Sequence, residues 1–136
     1  MTFRPSYLLI AAGLFVIEVA IARGAIPGAF VRNSIGDLLI IPLLYFLLRG
    51  LTKATPLVAL AIGLAAGLTA EVLQYLHLAD LLGLKRGSLL YIVLGNTFSA
   101  SDLLMYGIGG LLAAWLDVRV LQKYHTPRSA PQARQR

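Results

Sequence analysis

The chain has no cysteine, which excludes disulfides, thiol catalysis and sulfur-ligated metal. Charge is nearly as scarce: 13% of its 136 residues are Asp, Glu, Lys or Arg, about half of what a soluble domain carries to stay solvated. The two histidines, His77 and His125, are too few for a zinc site, which takes several convergent ligands. No cofactor is implied, and no nucleophile motif, phosphate loop or internal repeat is present. What remains is apolar, with 58% hydrophobic residues and a mean hydropathy of +0.78. A chain of this length lacks the interior volume to hide that much apolar surface from water. Lipid must be its solvent.

Four apolar stretches, at about 6–22, 35–51, 56–76 and 102–118, each approach the ~17 to 25 residues a helix needs to cross ~30 Å of hydrocarbon. They are apolar on every face and do not alternate, so closed barrels are disfavoured. The expected fold is an all-α membrane protein: four transmembrane helices in a membrane domain over 1–121, and a disordered basic tail over 122–136. Between the third and fourth spans, residues 88–98 form an apolar run too short to cross, which predicts a re-entrant or interfacial segment. Arg4, the apolar run 8–17 and Ala20-Ile21-Ala22 imitate a signal peptide, but Glu18, just ahead of the cleavage position, argues for retention.

Twelve Lys and Arg oppose six acids, yet the bases gather at segment ends and in the tail, a topology signal and not a nucleic-acid surface. Arg4, Arg49, Lys53, Arg119, Lys123, Arg128, Arg134 and Arg136 fall on one side of a four-span bundle, and Arg23, Arg32, Lys85 and Arg86 on the other. The positive-inside bias then places both termini on the cytoplasmic side of the cytoplasmic membrane.

With this topology the span acids share one depth. Glu18 lies ~7 Å and Glu71 ~9 Å from the outer ends of their helices. Asp37 and Asp102 sit just inside the outer starts of theirs. Simple capping competes as an explanation for the aspartates, because Ser34-Ile35-Gly36-Asp37 and Ser99-Ala100-Ser101-Asp102 both fit the capping-box pattern. Glu18 and Glu71 have no such role, since an acid late in an apolar helix opposes the dipole and costs ~2.5 kcal/mol or more unless paired or hydrated. Gln74 and Tyr75 follow Glu71 at helical spacing on one face.

Small residues mark contacts. Gly63 and Gly67, extended by Ala59 and Ala70, together with Gly107, Gly110 and Ala114, predict that the third and fourth spans pack closely and bring Glu71 beside Asp102. Pro42 is expected to kink the second span. Tyr7, Trp115 and Tyr124 are expected as anchors at the inner interface.

From Glu71 to Gly110, EVLQYLHLADLLGL and LGNTFSASDLLMYGIGG resemble a short bacterial membrane-protein family of unknown function, sometimes labelled a ribosomal-maturation family. That family in turn looks like a compact relative of the VanZ-like proteins. Glu71 and Gln74 match a Glu-x-x-Gln of that group, and Asp102 and Gly109 match two positions of a later Asp-x-x-x-Asn-x-x-Gly. Tyr106 stands where VanZ-like proteins carry Asn, and Ser99 where relatives of the short family often carry Asp. The resemblance implies a cell-envelope role without a defined reaction.

The site expected from these readings comprises Glu18, Asp37, Glu71, Gln74, Asp102 and Tyr106, with Arg32 and Arg86 as basic partners. It would bind a lipid head group or an envelope protein. An intramembrane enzyme acting on a lipid-linked precursor, with Glu71 or Asp102 as general base, is the alternative. A transporter or proton relay is disfavoured because no charge enters the inner half of the spans.

Overall fold

A computed structural model describes residues 4–95 and 97–122, apart from the side chain of Val93. Residues 123–136, Tyr124 among them, lie outside the described residues. The described chain is helical, with no strand, and four of its helices are long and apolar enough to cross a membrane.

Helix α1 covers Pro5–Ala22 and opens on proline at its first position, where a missing N–H loses no helical bond. A π-helical turn, Val31–Ile35, runs without a break into α2, Gly36–Leu51. Thr55 caps α3, Pro56–Tyr75, by accepting from the Val58 amide at 3.3 Å. Two short helices follow, α4 (Leu78–Leu81) and α5 (Leu89–Leu94), the second capped by Ser88, whose Oγ accepts from the Tyr91 amide. Helix α6, Ala100–Leu116, continues into a second π turn, Asp117–Leu121. The spans therefore match the apolar stretches to within a turn, and the run at 88–98 contains a six-residue helix.

Helix α2 is the hub and packs on α1, α3 and α6, while α3 and α6 also touch. The Arg4 amide donates to the Gly50 carbonyl at 3.1 Å, which sets the start of α1 beside the end of α2. Antiparallel succession then places residues 4, 50, 54 and 117 at one end of the bundle, the Asp117 end, and residues 18, 37, 71 and 102 at the other, the Glu71 end. Both described chain termini lie at the Asp117 end.

The buried core is small. Tyr7, Ala11, Tyr45, Phe46, Ala59 and Ala113 form its main cluster, towards the Asp117 end. Meanwhile Leu9, Phe15, Leu57, Leu68 and Leu111 are each more than half exposed. An exposed apolar belt of this extent is stable only against lipid.

The glycine contacts refine the expected packing. A Cβ at Gly67 would meet Tyr106 Cδ2 at 2.9 Å and Ile41 Cδ1 at 3.0 Å, and one at Gly63 would meet Ile41 Cγ2 at 3.3 Å. The small face of α3 therefore admits Ile41 of the hub as well as α6. On α6 the intimate glycines are Gly109 and Gly110; Gly107, expected to serve, faces open space. A side chain at Gly107 has nothing to displace because that face of α6 looks away from its neighbours.

Candidate functional site

At the Glu71 end, a cavity of about 800 Å³ opens between α1, α2, α3 and α6. Glu18, Asp37 and Asp102 line it with Arg32, Gln74 and Tyr106. Towards mid-bundle its walls turn apolar, with Ile40, Ile41, Leu44, Ala66 and Ala70. Asp37 and Asp102, from α2 and α6, share that lining. Glu18 Oε1 is buried without any hydrogen-bond partner among the described residues.

Glu71 is fully buried and does not line the cavity. Its Oε1 accepts from the Tyr106 hydroxyl at 3.0 Å, and its Oε2 from the Ser99 amide at 3.1 Å. Both oxygens are thus committed, and Glu71 reaches the cavity through Tyr106 and Ser99, which line it. That geometry suits a positioning residue better than the general base considered from sequence.

The Ser99 contact also corrects the capping expectation. Ser99 is the N-cap residue of α6, but its side chain does not cap; its Oγ bonds the Ser101 Oγ at 2.6 Å, and Ser101 Oγ donates to Asp102 Oδ1 at 3.2 Å. The N-cap amide that Asp102 would have taken in a capping box goes to Glu71 of another helix. Asp102 is left free to face the cavity. Ser34 fails as a cap for a different reason: the helix already runs through 31–35 as a π turn, so no N-terminus exists there.

Gln74 packs against the backbone of Gly95, where φ is +63° and an added Cβ would fall 2.8 Å from Gln74 Nε2. Only glycine permits both the backbone angle and the approach. Arg86 is not brought to the cavity. It is 82% exposed in its side chain and sits 3.9 Å from Asp80. His77, with φ 55°, turns the chain after α3, and its Nδ1 lies 2.9 Å from the Tyr75 carbonyl.

A second polar cluster at the Asp117 end was missed in the sequence. Asp117 is fully buried and accepts from the hydroxyls of Tyr7 and Tyr45 and, at 2.7 Å, from Arg49 Nε. Arg49 Nη1 donates to the Ala54 carbonyl at 2.6 Å, and its guanidinium stacks 5.4 Å from the Tyr7 ring centroid. One buried ion pair thus joins α1, α2, the α2–α3 connection and the end of α6. Tyr7, expected as an interface anchor, is 1% exposed instead. The signal was present: Asp117 is an acid late in an apolar helix, the feature that singled out Glu18 and Glu71, and Tyr45 and Arg49 stand at i, i+4. The expectation that charge stays out of the inner half is corrected at this pair. Between the clusters, however, α2 runs ~18 Å from Asp37 to Arg49 with Tyr45 as its only ionisable side chain.

Fold and site together define a multi-pass helical membrane protein with a carboxylate-lined cavity at one end of its bundle. The chain belongs to the family described as Protein of unknown function (DUF2809), whose model matches residues 26–110. That match holds Asp37, Glu71, Gln74, Asp102, Tyr106 and Gly109, and leaves Glu18 and Asp117 outside it. No curated protein and no solved structure matches the chain. The likeness to VanZ-like proteins rests on the Glu71–Gln74 and Asp102–Gly109 motifs alone.

Proposed function

We propose that this protein binds the head group of a membrane lipid in the cavity at the Glu71 end. The cavity itself carries the reading. Its volume of about 800 Å³ falls in the range of small-molecule sites, and its lining grades from carboxylates and Arg32 at the mouth to aliphatic side chains at mid-bundle. An amphiphile has the same gradient. We read the membrane as the bacterial cytoplasmic membrane, with both termini in the cytoplasm by the basic bias at the Asp117 end, so that the cavity opens to the outer leaflet. Helix α5 then acts as a re-entrant cover: Ile92 and Gly95 face the cavity, while Leu89 and Leu90 are 51% and 63% exposed and meet lipid.

A second reading, an enzyme acting on a lipid-linked substrate, draws on Asp37 and Asp102 in one cavity, since two carboxyls can divide the acid and base roles between them. A VanZ-like envelope role is compatible with either. A proton relay is not favoured, because the uncharged middle of the bundle separates the two clusters.

Native mass spectrometry of the purified chain in mild detergent tests the main reading. We expect a co-purified lipid that is lost in Ala66→Trp, which fills the apolar part of the cavity. A wild-type protein that carries no lipid under conditions that preserve its fold would sink the proposal. For the second reading, a lipid extract incubated with wild type but not with Asp37→Asn should show a converted species; identical extracts would remove it.

A further inference from the structure

The geometry points to a particular class of occupant: we propose that the cavity takes a zwitterionic phospholipid with a primary ammonium, the ammonium donating to Glu18 in a cavity that Asp37 and Asp102 make acidic, and the phosphate lying against Arg32. This rests on the lipid reading of the same cavity and narrows it.

Charge comes first. Three carboxyls and one guanidinium are the ionisable acids and bases of the lining, so an anionic head group meets net repulsion, whereas a cationic group is attracted. Glu18 Oε1 adds a requirement that charge alone does not. It is buried without a partner among the described residues, and an ionised carboxylate oxygen can only accept. An occupant with hydrogen-bond donors satisfies that oxygen. A metal ion is a poor candidate, because no group of three His, Cys, Asp or Glu among the described residues is placed to hold one. The cavity is also far larger than an ion.

Between amines, the lining discriminates again. A quaternary ammonium has no N–H to offer Glu18 Oε1 and is recognised by cages of aromatic rings. Among the described residues, Tyr106 is the sole aromatic side chain lining this cavity. A primary ammonium supplies N–H donors for Glu18 Oε1, and its charge is drawn by Asp37 and Asp102 in the same lining. Arg32 and Asn33, both on the π turn ahead of α2, line the same cavity, and a guanidinium is suited to a phosphate diester. The ion pairs among the described residues are Arg49–Asp117 and Arg86–Asp80, so Arg32 is not committed to a carboxylate. The acyl chains follow the wall of Ile40, Leu44 and Ala66.

The test places the full chain in nanodiscs that hold phosphatidylethanolamine, phosphatidylcholine or phosphatidylglycerol with identical acyl chains, and reads retained lipid by native mass spectrometry. We expect retention of the ethanolamine lipid to exceed that of the other two by about tenfold or more, a difference of ~1.4 kcal/mol. Glu18→Gln and, as an independent variant, Asp37→Asn should each reduce that preference by about fivefold with an unchanged helical spectrum. Arg32→Gln should weaken ethanolamine-lipid retention while leaving any binding of free ethanolamine unaffected. Equal retention of the ethanolamine and choline lipids would overturn this assignment but keep the lipid reading; no retained lipid of any class would overturn both. A preference untouched in both carboxyl variants, or free ethanolamine competing as tightly as the lipid, would also overturn it.

Discussion

The carbonyl oxygen of Leu38 lies directly against Gly109, so closely that a Cβ on residue 109 would collide with it and also approach Pro42 Cδ at 3.1 Å. The cause is in α2. Pro42 has no N–H, so the Leu38 carbonyl four residues earlier loses its helical donor. Buried in a bundle, that oxygen needs some partner. The Cα–H of a glycine on the neighbouring helix can approach it as no other residue can. Pro42 and Gly109 thus form one device, divided between two helices, that seats α6 on the hub.

Gly109→Ala should therefore be costly despite the better helix propensity of alanine. We expect a loss of about 1–3 kcal/mol, the usual cost of overpacking. Gly107→Ala provides the control, since nothing lies within 4 Å of a Cβ there. It should be neutral or gain up to ~1 kcal/mol from helix propensity. Circular dichroism melts in detergent separate the two, and equal melting temperatures would refute the close contact.

Glu71 should respond differently to shape and to polarity. Glu71→Gln can still accept from the Ser99 amide and can donate to the Tyr106 oxygen, so we expect a loss of about 1 kcal/mol or less. Glu71→Leu leaves a buried amide at the start of α6 and a buried hydroxyl without partners, at about 1–3 kcal/mol each. Because Glu71 holds Ser99 and thereby Asp102, Glu71→Leu should also weaken lipid retention. Thermal melts in which Glu71→Gln proves the more harmful would contradict the hydrogen bonds described.

The helices were legible in the sequence because length and apolarity alone decide what crosses a membrane. The pairing of helices was only partly so. Gly63 and Gly67 advertise close packing, but nothing local says that Ile41 will share the contact, or that Gly109 and not Gly107 will face the hub. The capping pattern at Ser34 misled because a cap requires a helix start, and the chain was already helical from residue 31. Ser99 misled because Glu71, 28 residues earlier, takes the amide that the local pattern assigns to Asp102. Arg49 was absorbed into the count of basic residues at helix ends. Its burial depends on Tyr7 and Asp117, 110 positions apart in the chain, which no local pattern connects.

Orientation is open to a direct measurement. A phosphatase reporter, active only outside the cytoplasm, should be active when inserted near Pro27 and inactive when fused after Tyr124. Because residues 4 and 122 lie at the same end of the bundle, a reporter fused ahead of Arg4 should agree with the one after Tyr124. The reverse pattern would turn the cavity towards the cytoplasmic leaflet.

The Arg49–Asp117 pair makes the sharpest demand on stability. Both side chains are at most 5% exposed, and the carboxylate accepts from Arg49, Tyr7 and Tyr45 together. Asp117→Asn keeps the shape but removes the charge and turns an amide NH2 towards one of three donors. Arg49 is then a buried cation without a counterion, and removing one partner of such a pair costs about 3–5 kcal/mol. Tyr45→Phe removes one donor from a charged acceptor and should cost less, about 1.5–3 kcal/mol. The double variant Arg49→Leu with Asp117→Leu removes both charges at once, and replacing a buried pair by apolar groups is often close to neutral. We therefore expect it to melt above Asp117→Asn, less whatever is lost with the Arg49 to Ala54 hydrogen bond. Stabilities of wild type, Arg49→Leu alone, Asp117→Leu alone and the double variant form a thermodynamic cycle. Additive losses around that cycle would mean that Arg49 and Asp117 do not act as a pair, and that the Asp117 end is held together by packing alone.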